Sequence, residues 1–334
     1  MAARTAGRGR AARDAARSAA ALTSPRPDSL PVPRRRVLGF VLALVLVFAA
    51  TLAWREIATP DYGFHLAAGR FILAEHSWPR LDPFTFTVPD HPYVDMNGLF
   101  QVALALADRA GGPFGAALLQ EALVLGAVAL VFAHARRRGA ASPVLLGCGM
   151  LLGVAAWELR FIYRPELVTY VFLAALLYLL GRHAEDGRPR WLYAAVPLQL
   201  VWTNAHTLSL LGPAVLGLYA AAGLLGPRRR DRHAWIALGL VALALCASPY
   251  GVEGVRTLLG LGTRLSAGNV FHEQIGELKS PFAVPTDRPL LAFKILLGLT
   301  GVAVLLTLRR RTPFDLACVL LFGALAASAL RNVP

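Results

Sequence analysis

The chain has 334 residues, of which 56% are hydrophobic and only 16% are charged. Soluble globular proteins carry about 25% charged residues, so the composition favours a membrane protein. A net charge of +14 is compatible with nucleic-acid binding. The arginines, however, form clusters between apolar runs, which is the pattern of membrane topology and not of a basic binding face. The distribution of charge therefore excludes nucleic acid as a partner.

The N-terminal part of the chain differs sharply from the rest. Residues 1–36 are rich in alanine and arginine and predict a disordered basic arm. Residues 37–334 form the membrane domain. Its first apolar run, residues 37–54, follows three consecutive arginines, which hold that end of a membrane helix in the cytoplasm. The outer loops are then about 55–98 and 249–289, and the N-terminus is cytoplasmic.

Apolar runs alternate with short basic connections through the membrane domain. A membrane helix needs about 17–25 residues, and the runs together predict about nine crossings. The predicted crossings are residues 37–54, 114–134, 143–157, 167–180, 191–203, 208–225, 235–247, 290–308 and 314–330. Every strong arginine cluster then falls on one side, as the positive-inside rule requires. The expected fold is all-α, a polytopic transmembrane helical bundle with a helical first extracytoplasmic loop.

Two glycine patterns carry more local predictions. Residues 99–107 are apolar but too short to span, so we expect them to lie at the interface or to re-enter. Gly111-Gly112-Pro113 should break the helix after them. Gly149 and Gly153 form a GxxxG pattern, which predicts a close contact between two helices.

The first outer loop holds the densest mixture of acidic, histidine and aromatic residues. Pro60-Asp61 begins a helix on which Asp61 and His65 are four residues apart and therefore share a face. Such a pair could bind a divalent cation (Mg²⁺ or Mn²⁺) or act as a general base. The alternative is that Asp61 caps the helix and His65 is an interfacial side chain.

Further acidic residues lie in both outer loops. Asp82 precedes a proline, and Asp95 closes the first loop. These carboxylates could line a substrate pocket with Asp61, or they could form turns, as Asp before Pro usually does. In the second outer loop, His272-Glu273-Gln274 and Glu277 form a smaller polar cluster that could bind a metal, although the pattern is not specific.

Polar residues also lie where other apolar runs end. Arg160 and Arg164 flank an outer helix junction. Arginines at such a place can bind phosphate, or they can be interfacial anchors and local partners of a glutamate. Asn204 and His206 lie between two apolar runs, where polar groups either line a substrate cavity or cap helix ends.

Several stretches resemble a group of bacterial multi-pass membrane proteins that is related to the C-type (GT-C) membrane glycosyltransferases. The resemblance spans residues 37–334. It rests on Asp61-Tyr-Gly-Phe-His-Leu-Ala-Ala-Gly-Arg-Phe-Ile, Pro79-Arg-Leu-Asp-Pro-Phe-Thr-Phe-Thr, Pro92-Tyr-Val-Asp95, Arg164-Pro-Glu-Leu, Trp202-Thr-Asn-Ala-His and Ser248-Pro-Tyr-Gly251.

The resemblance implies a multi-pass glycosyltransferase of the bacterial cytoplasmic (inner) membrane that works at the outer face. Its implied partners are membrane lipid and a polyprenyl-phosphate-linked sugar donor. An acidic residue early in the first loop lies at the catalytic centre of the GT-C fold. That position corresponds to Asp61, as base or metal ligand, with His65 close by. Some members need a divalent cation, and Arg160 or Arg164 would meet the donor phosphate.

One motif departs from the group. This sequence reads Asp95-Met-Asn-Gly98 where the group usually has Asp-His-x-Trp. The departure leaves a non-catalytic membrane protein as the alternative function, namely a transporter, a lipid-binding protein or an assembly subunit.

Overall fold

The structure is a computed structural model that describes residues 32–87, 91–140, 142–226, 231–264 and 275–333. Within these ranges the chain is helical apart from its connections and an antiparallel bridge between Leu81 and Pro92. The helices are α1 (Val32–Ala53), α2 (Asp61–Glu75), α3 (Gly98–Arg137), α4 (Pro143–Trp157), α5 (Glu166–Asp186), α6 (Arg190–Tyr193), α7 (Ala195–Thr203), α8 (Leu211–Leu224), α9 (Arg232–Ala244), α10 (Gly251–Arg264), α11 (Arg288–Thr307) and α12 (Pro313–Ser328). The prediction of an all-α bundle is confirmed.

The connections gather at two opposite ends of the bundle. At one end, which we call the basic end, side chains join connections that are far apart in sequence. Arg138, directly after α3, pairs with Asp315 in the first turn of α12 at 2.6 Å. His183, near the end of α5, lies 3.2 Å from Asp231, the residue that caps α9. The arginine-rich connections of α3, α5 and α12 therefore lie together.

The opposite end, which we call the loop end, collects the remaining connections. The Tyr250 hydroxyl, just before α10, donates to the carbonyl oxygen of Pro79 in the first loop at 2.8 Å. The backbone N–H of Leu99 donates to the carbonyl oxygen of Asn204 after α7 at 2.8 Å. Successive apolar helices thus run between the two ends in alternating directions, as the arginine pattern predicts.

Six helices of the described residues are long and apolar enough to cross a membrane. They are Arg34–Ala53, Gly98–Arg137, Pro143–Arg160, Glu166–Asp186, Thr207–Leu224 and Arg288–Arg310. Two further apolar helices, Arg232–Ala244 and Pro313–Ser328, are shorter. The remaining predicted crossing, residues 191–203, corresponds to α6 and α7. The chain is a multi-pass membrane protein.

The short α6–α7 segment lies in the centre of the largest core cluster. Its length is about 21 Å at 1.5 Å per residue, less than the hydrocarbon thickness of roughly 30 Å. Leu192, Ala195 and Trp202 are all buried and contact apolar side chains of α5, α8 and α9. One face of the segment packs against these helices, while Leu200 and Val201 near its end are exposed. The contacts with neighbouring helices allow a short helix there.

The long α3 helix is broken as the glycine pattern predicts. A straight helix of 40 residues would be about 60 Å long, twice the hydrocarbon thickness. Gly111 leaves helical geometry, and Gly112 has φ of 58° and ψ of −144°, a conformation that favours glycine. The break gives two arms, α3a (98–110) and α3b (113–137).

The two arms of α3 fold back against each other. A Cβ atom at Gly115 would overlap the carbonyl oxygen of Ala107, so only glycine allows this approach. Phe100 and Leu104 on α3a belong to the same buried cluster as Ala116 on α3b. The α3a arm is therefore a separate helix at the loop end, and only α3b runs to the basic end.

Two details differ from the sequence prediction. Helix α1 begins at Val32, so the run of three arginines lies in its first turns and not in a disordered arm; residues 1–31 lie outside the described ranges. The predicted helix contact at Gly149 and Gly153 is wrong, because a Cβ atom at either residue would meet nothing within 4 Å. Gly147 makes the close contact of α4, against Val41 of α1.

Helix α2 and the start of α3 are fixed by two glycines. A Cβ atom at Gly69 would overlap the backbone carbonyl of Gln101, and one at Gly98 would overlap the ring of Trp78. These close approaches bring α2 directly onto α3a. The contact determines where the N-terminus of α2, and hence Asp61, lies at the loop end.

Candidate functional site

Five charged side chains form a cluster at the loop end, which we call the arginine centre. Its members are Asp61, Arg160, Arg164, Glu166 and Glu277. The Nε atom of Arg164 lies 2.6 Å from Oδ2 of Asp61. The Nη1 atom of Arg164 donates to both carboxylate oxygens of Glu277, at 2.9 and 3.0 Å. The cluster thus joins the first loop, the α4–α5 connection and the second outer loop.

Arg160 forms the inner half of the arginine centre. Its Nη2 atom donates to Oε2 of Glu166, and its Nη1 atom lies 3.8 Å from Oε2 of Glu277. The side chain of Arg160 is 5% exposed and that of Glu166 is 10% exposed. Arg160 therefore has a local glutamate partner, one of the alternatives that the sequence leaves open for the two arginines.

Local structure places these side chains. Asp61 lies in the first turn of α2, where the helix dipole favours an acidic residue. Arg160 ends the 3₁₀ turn Glu158–Arg160, and Arg164 lies just before Pro165, the N-cap residue of α5. A tight connection between α4 and α5 thus brings both guanidinium groups to the loop end, where Arg164 meets the N-terminus of α2.

The outer half of the centre is open to solvent. The side chains of Asp61 and Glu277 are 44% and 42% exposed, and that of Arg164 is 23% exposed. A ligand at the loop end can reach these three groups without unfolding of any helix. Arg160 and Glu166 lie beneath them.

His65 does not pair with Asp61, although both lie on α2. Its imidazole is buried, and Nδ1 lies 3.3 Å from the Nε2 atom of Gln101. That amide also donates to Oδ2 of Asp95 at 2.5 Å, so its two N–H groups serve His65 and Asp95. Burial lowers the pKa of His65, against the opposing effect of Asp95 and Asp61. The ring is therefore a neutral acceptor between α2 and α3a.

The other two acidic residues of the first loop have their own partners. Both oxygens of Asp82 accept hydrogen bonds, from the backbone N–H of Phe84 at 2.8 Å and from the Thr85 hydroxyl at 2.5 Å. The Thr85 hydroxyl lowers the pKa of Asp82. Asp95 accepts from the Tyr93 hydroxyl at 3.0 Å as well as from Gln101. Asp82 adopts the turn geometry, and Asp95 lies on the His65 side of α2.

Asn204 and His206 tie the α7–α8 connection to its neighbours. The Asn204 amide donates to the carbonyl oxygen of Ala247 at 3.0 Å. The Nδ1 atom of His206 lies 2.6 Å from the Thr169 hydroxyl, which also accepts from the Trp202 indole at 2.9 Å. Burial lowers the pKa of His206 to about 3. Both residues connect helices, as capping residues do.

The residues of the centre do not fit a metal held by protein ligands alone. The described ranges contain no group of three His, Cys, Asp or Glu side chains that could hold an ion. Asp61, the predicted ligand, instead faces the Arg164 guanidinium, whose charge opposes a cation. The predicted polar residues 272–274 lie outside the described ranges.

Sequence reasoning noted Glu166 and Glu277 among the polar residues of their connections without assigning them to the site, and it missed Gln101. Glu166 and Glu277 complete the arginine centre, and Gln101 joins His65 to Asp95. Glu166 carries a local signal, since it lies six residues after Arg160 at the start of an apolar run. Glu277 carries none, because its partners are distant in sequence.

A cavity of about 170 Å³ lies at the basic end. Its lining is mostly apolar, and its charged residues include Arg138, Asp231 and Asp315. Arg138 donates to both oxygens of Asp315, and Asp231 faces His183. Since Arg138 already pairs with Asp315 and Asp231 already contacts His183, the open arginine centre is the better candidate for chemistry.

The fold defines a polytopic helical membrane protein with a charged centre at its loop end. A family model described as dolichyl-phosphate-mannose-protein mannosyltransferase matches residues 98–250, somewhat less than half of the chain. Comparisons with curated proteins and with solved structures gave no match. The family match confirms the predicted resemblance to GT-C membrane glycosyltransferases. It includes Arg160 and Arg164 and begins after Asp61.

Proposed function

We propose that the protein is a GT-C-like glycosyltransferase that transfers a sugar from a polyprenyl-phosphate-linked donor at the loop end. The observation that carries this proposal is the contact between Asp61 and Arg164, both accessible and 2.6 Å apart. Transfer from a phosphate ester needs a base for the acceptor hydroxyl and a cation for the leaving phosphate. The description of the matched family names a dolichyl-phosphate-linked mannose, which supports a donor of this chemical kind.

The proposed step is a displacement at the anomeric carbon of the donor sugar. The acceptor oxygen forms a bond to that carbon as the bond from the carbon to the phosphate oxygen breaks. Asp61 takes the acceptor proton, and the leaving polyprenyl phosphate keeps the bonding electron pair. Arg164 stabilises the negative charge on that phosphate through charge-assisted hydrogen bonds. Arg160 lies beneath and fixes the position of the charged groups.

The remaining predicted site residues have supporting roles in this proposal. His65 is buried with its Nδ1 atom engaged, so we assign it to positioning α2, and with it Asp61. Asp82, Asp95, Asn204 and His206 use their side chains in hydrogen bonds within the protein. We assign them to shaping the loop end that surrounds the substrate.

The proposal also fixes the orientation in the membrane. Arginine clusters favour the cytoplasmic side, so the basic end and the N-terminus lie in the cytoplasm and the loop end lies outside. In a bacterium the membrane is the cytoplasmic one. Exposed apolar side chains such as Leu305, Leu306 and Leu320 face its lipid.

Sugar transfer by the purified protein in nanodiscs tests the proposal. The substrates are a panel of polyprenyl-phosphate sugars, beginning with the mannose derivative, and the readout is release of polyprenyl phosphate. Asp61→Asn should lower kcat by at least about 100-fold, because it removes the base.

Asp108→Asn, which loses an ion pair between α3a and Arg70, is the matched control and should retain activity. Unchanged turnover in Asp61→Asn would contradict the role of Asp61. Absence of turnover and binding by the folded wild type would favour the non-catalytic alternative.

A further inference from the structure

The arginine centre contains one carboxylate more than its guanidinium groups require. Arg160 has Glu166 as a close partner, and Arg164 has Asp61. Glu277 is a third carboxylate that both arginines share, at 2.9 Å from Arg164 and 3.8 Å from Arg160. Removal of Glu277 would leave each arginine paired with one carboxylate and the centre without net charge.

Glu277 is also the carboxylate best able to leave. Its side chain is 42% exposed and that of Asp61 is 44% exposed, whereas that of Glu166 is 10% exposed, so exposure leaves Glu277 and Asp61 as candidates. Separation of a buried pair leaves an uncompensated charge and is costly, but an exposed carboxylate regains water and loses little. Glu277 lies on the short 3₁₀ turn Gly276–Leu278 in a connection, and not on a long helix that would have to move with it.

The position of the Glu277 carboxylate suits a phosphate. Both of its oxygens accept from Nη1 of Arg164, and one of them approaches Nη1 of Arg160. Guanidinium groups bind pairs of oxygen atoms in carboxylates and phosphates with the same geometry. An anion between the two guanidinium groups has the most favourable electrostatic position in the centre.

We propose that Glu277 occupies the phosphate position of the arginine centre and is displaced by the phosphate of the polyprenyl donor. This inference rests on the proposed function. A phosphodiester carries one negative charge, so its exchange for the carboxylate leaves the charge of the centre unchanged. After transfer the lipid keeps a phosphomonoester with a charge of about −1.5 to −2 near pH 7, which holds the arginines more strongly. The return of Glu277 to the arginines then competes with this product and promotes its release.

The exchange is tested by binding of farnesyl phosphate, a short polyprenyl phosphomonoester, to the protein in nanodiscs. Glu277→Gln keeps the size of the side chain and removes the competing charge. It should bind the probe about fivefold more tightly, the gain expected from the loss of an accessible ion pair. Its transfer reaction should show a lower KM and stronger inhibition by the product. Glu253→Gln is the control, since Glu253 pairs with Arg256 in an exposed position on α10, and its affinity should equal that of the wild type.

A second measurement tests, independently of binding affinity, whether Glu277 shields the Arg164 side chain from a reagent. An arginine-selective dicarbonyl reagent, followed by mass spectrometry, should modify Arg164 faster in Glu277→Gln than in the wild type, and farnesyl phosphate should slow that modification in both. Equal affinity of wild type and Glu277→Gln, in a wild type that binds the probe, overturns this inference and leaves the proposed function intact. Absence of binding by both proteins overturns both proposals. Equal modification rates of Arg164 overturn the inference whatever the binding result.

Discussion

The two ends of the bundle use ion pairs differently. Among the described residues of the basic end, no carboxylate is in surplus. Arg138 donates to both oxygens of Asp315, and Glu185 is shared by Arg137 and Arg182. At the loop end, two arginines share three carboxylates. Matched pairs hold the ends of neighbouring helices together. At accessible arginines, a surplus carboxylate can be exchanged for another anion. We therefore assign binding of the donor phosphate to the loop end.

The largest expected effect comes from a contrast between one arginine at each end. Arg160→Met leaves Glu166 buried without a partner and should lower the free energy of unfolding by about 3–5 kcal/mol. Arg137→Met removes a partly exposed pair and should cost about 0–1 kcal/mol. Thermal unfolding in detergent measures both changes. The double variant Arg160→Met/Glu166→Leu should recover most of the loss, and a small loss in the single variant would contradict the buried role of Arg160.

A pH series tests a buried histidine of the loop end. His206 contacts the Thr169 hydroxyl. The folded pKa of His206, about 3, lies below the unfolded value of about 6.5. The contribution of neutral His206 to the free energy of unfolding is therefore fully present above about pH 6.5. It falls as the pH decreases, by about 1.4 kcal/mol per pH unit, until about pH 3.

Substitution of His206 isolates its contribution to that slope. The melting temperature of the wild type, measured between pH 7 and pH 5, should fall more steeply than that of His206→Asn. Parallel profiles for wild type and His206→Asn would show that His206 is not the group responsible.

A smaller difference in the free energy of unfolding is expected between glycine-to-alanine substitutions at the two ends. Gly69→Ala should lower the free energy of unfolding by about 1–3 kcal/mol, because its Cβ atom would meet the rigid carbonyl of Gln101. At the basic end, a Cβ atom at Gly181 would lie 3.0 Å from the His134 ring, which can shift. Gly181→Ala also gains helix propensity of about 1 kcal/mol, so its stability should be nearly unchanged. Equal losses would show that the contact between α2 and α3a is adaptable.

The sequence predicts those features that depend on local chemistry. Pro60-Asp61 marks the start of α2, and Gly111-Gly112 marks the break in α3, because proline and glycine restrict or release the backbone where they stand. The direction of the helices follows from the arginine clusters. The GxxxG prediction at Gly149 is wrong because periodicity does not show which face of a helix meets a neighbour.

The candidate site is less predictable because its contacts are long-range. The helical spacing of Asp61 and His65 indicates a shared face, yet the close packing at Gly69 turns His65 toward Gln101 and leaves Asp61 to Arg164. Glu277 reaches the same arginine from the second outer loop. No local pattern relates these positions, and only the fold brings them together.

The most direct test is an electron cryomicroscopy structure of the protein in nanodiscs with bound farnesyl phosphate. We expect the phosphate between Arg160 and Arg164, with the Glu277 carboxylate moved away and Asp61 still beside Arg164. A phosphate bound in the basic-end cavity near Arg138, with the arginine centre unchanged, would contradict the assignment of the donor site to the loop end.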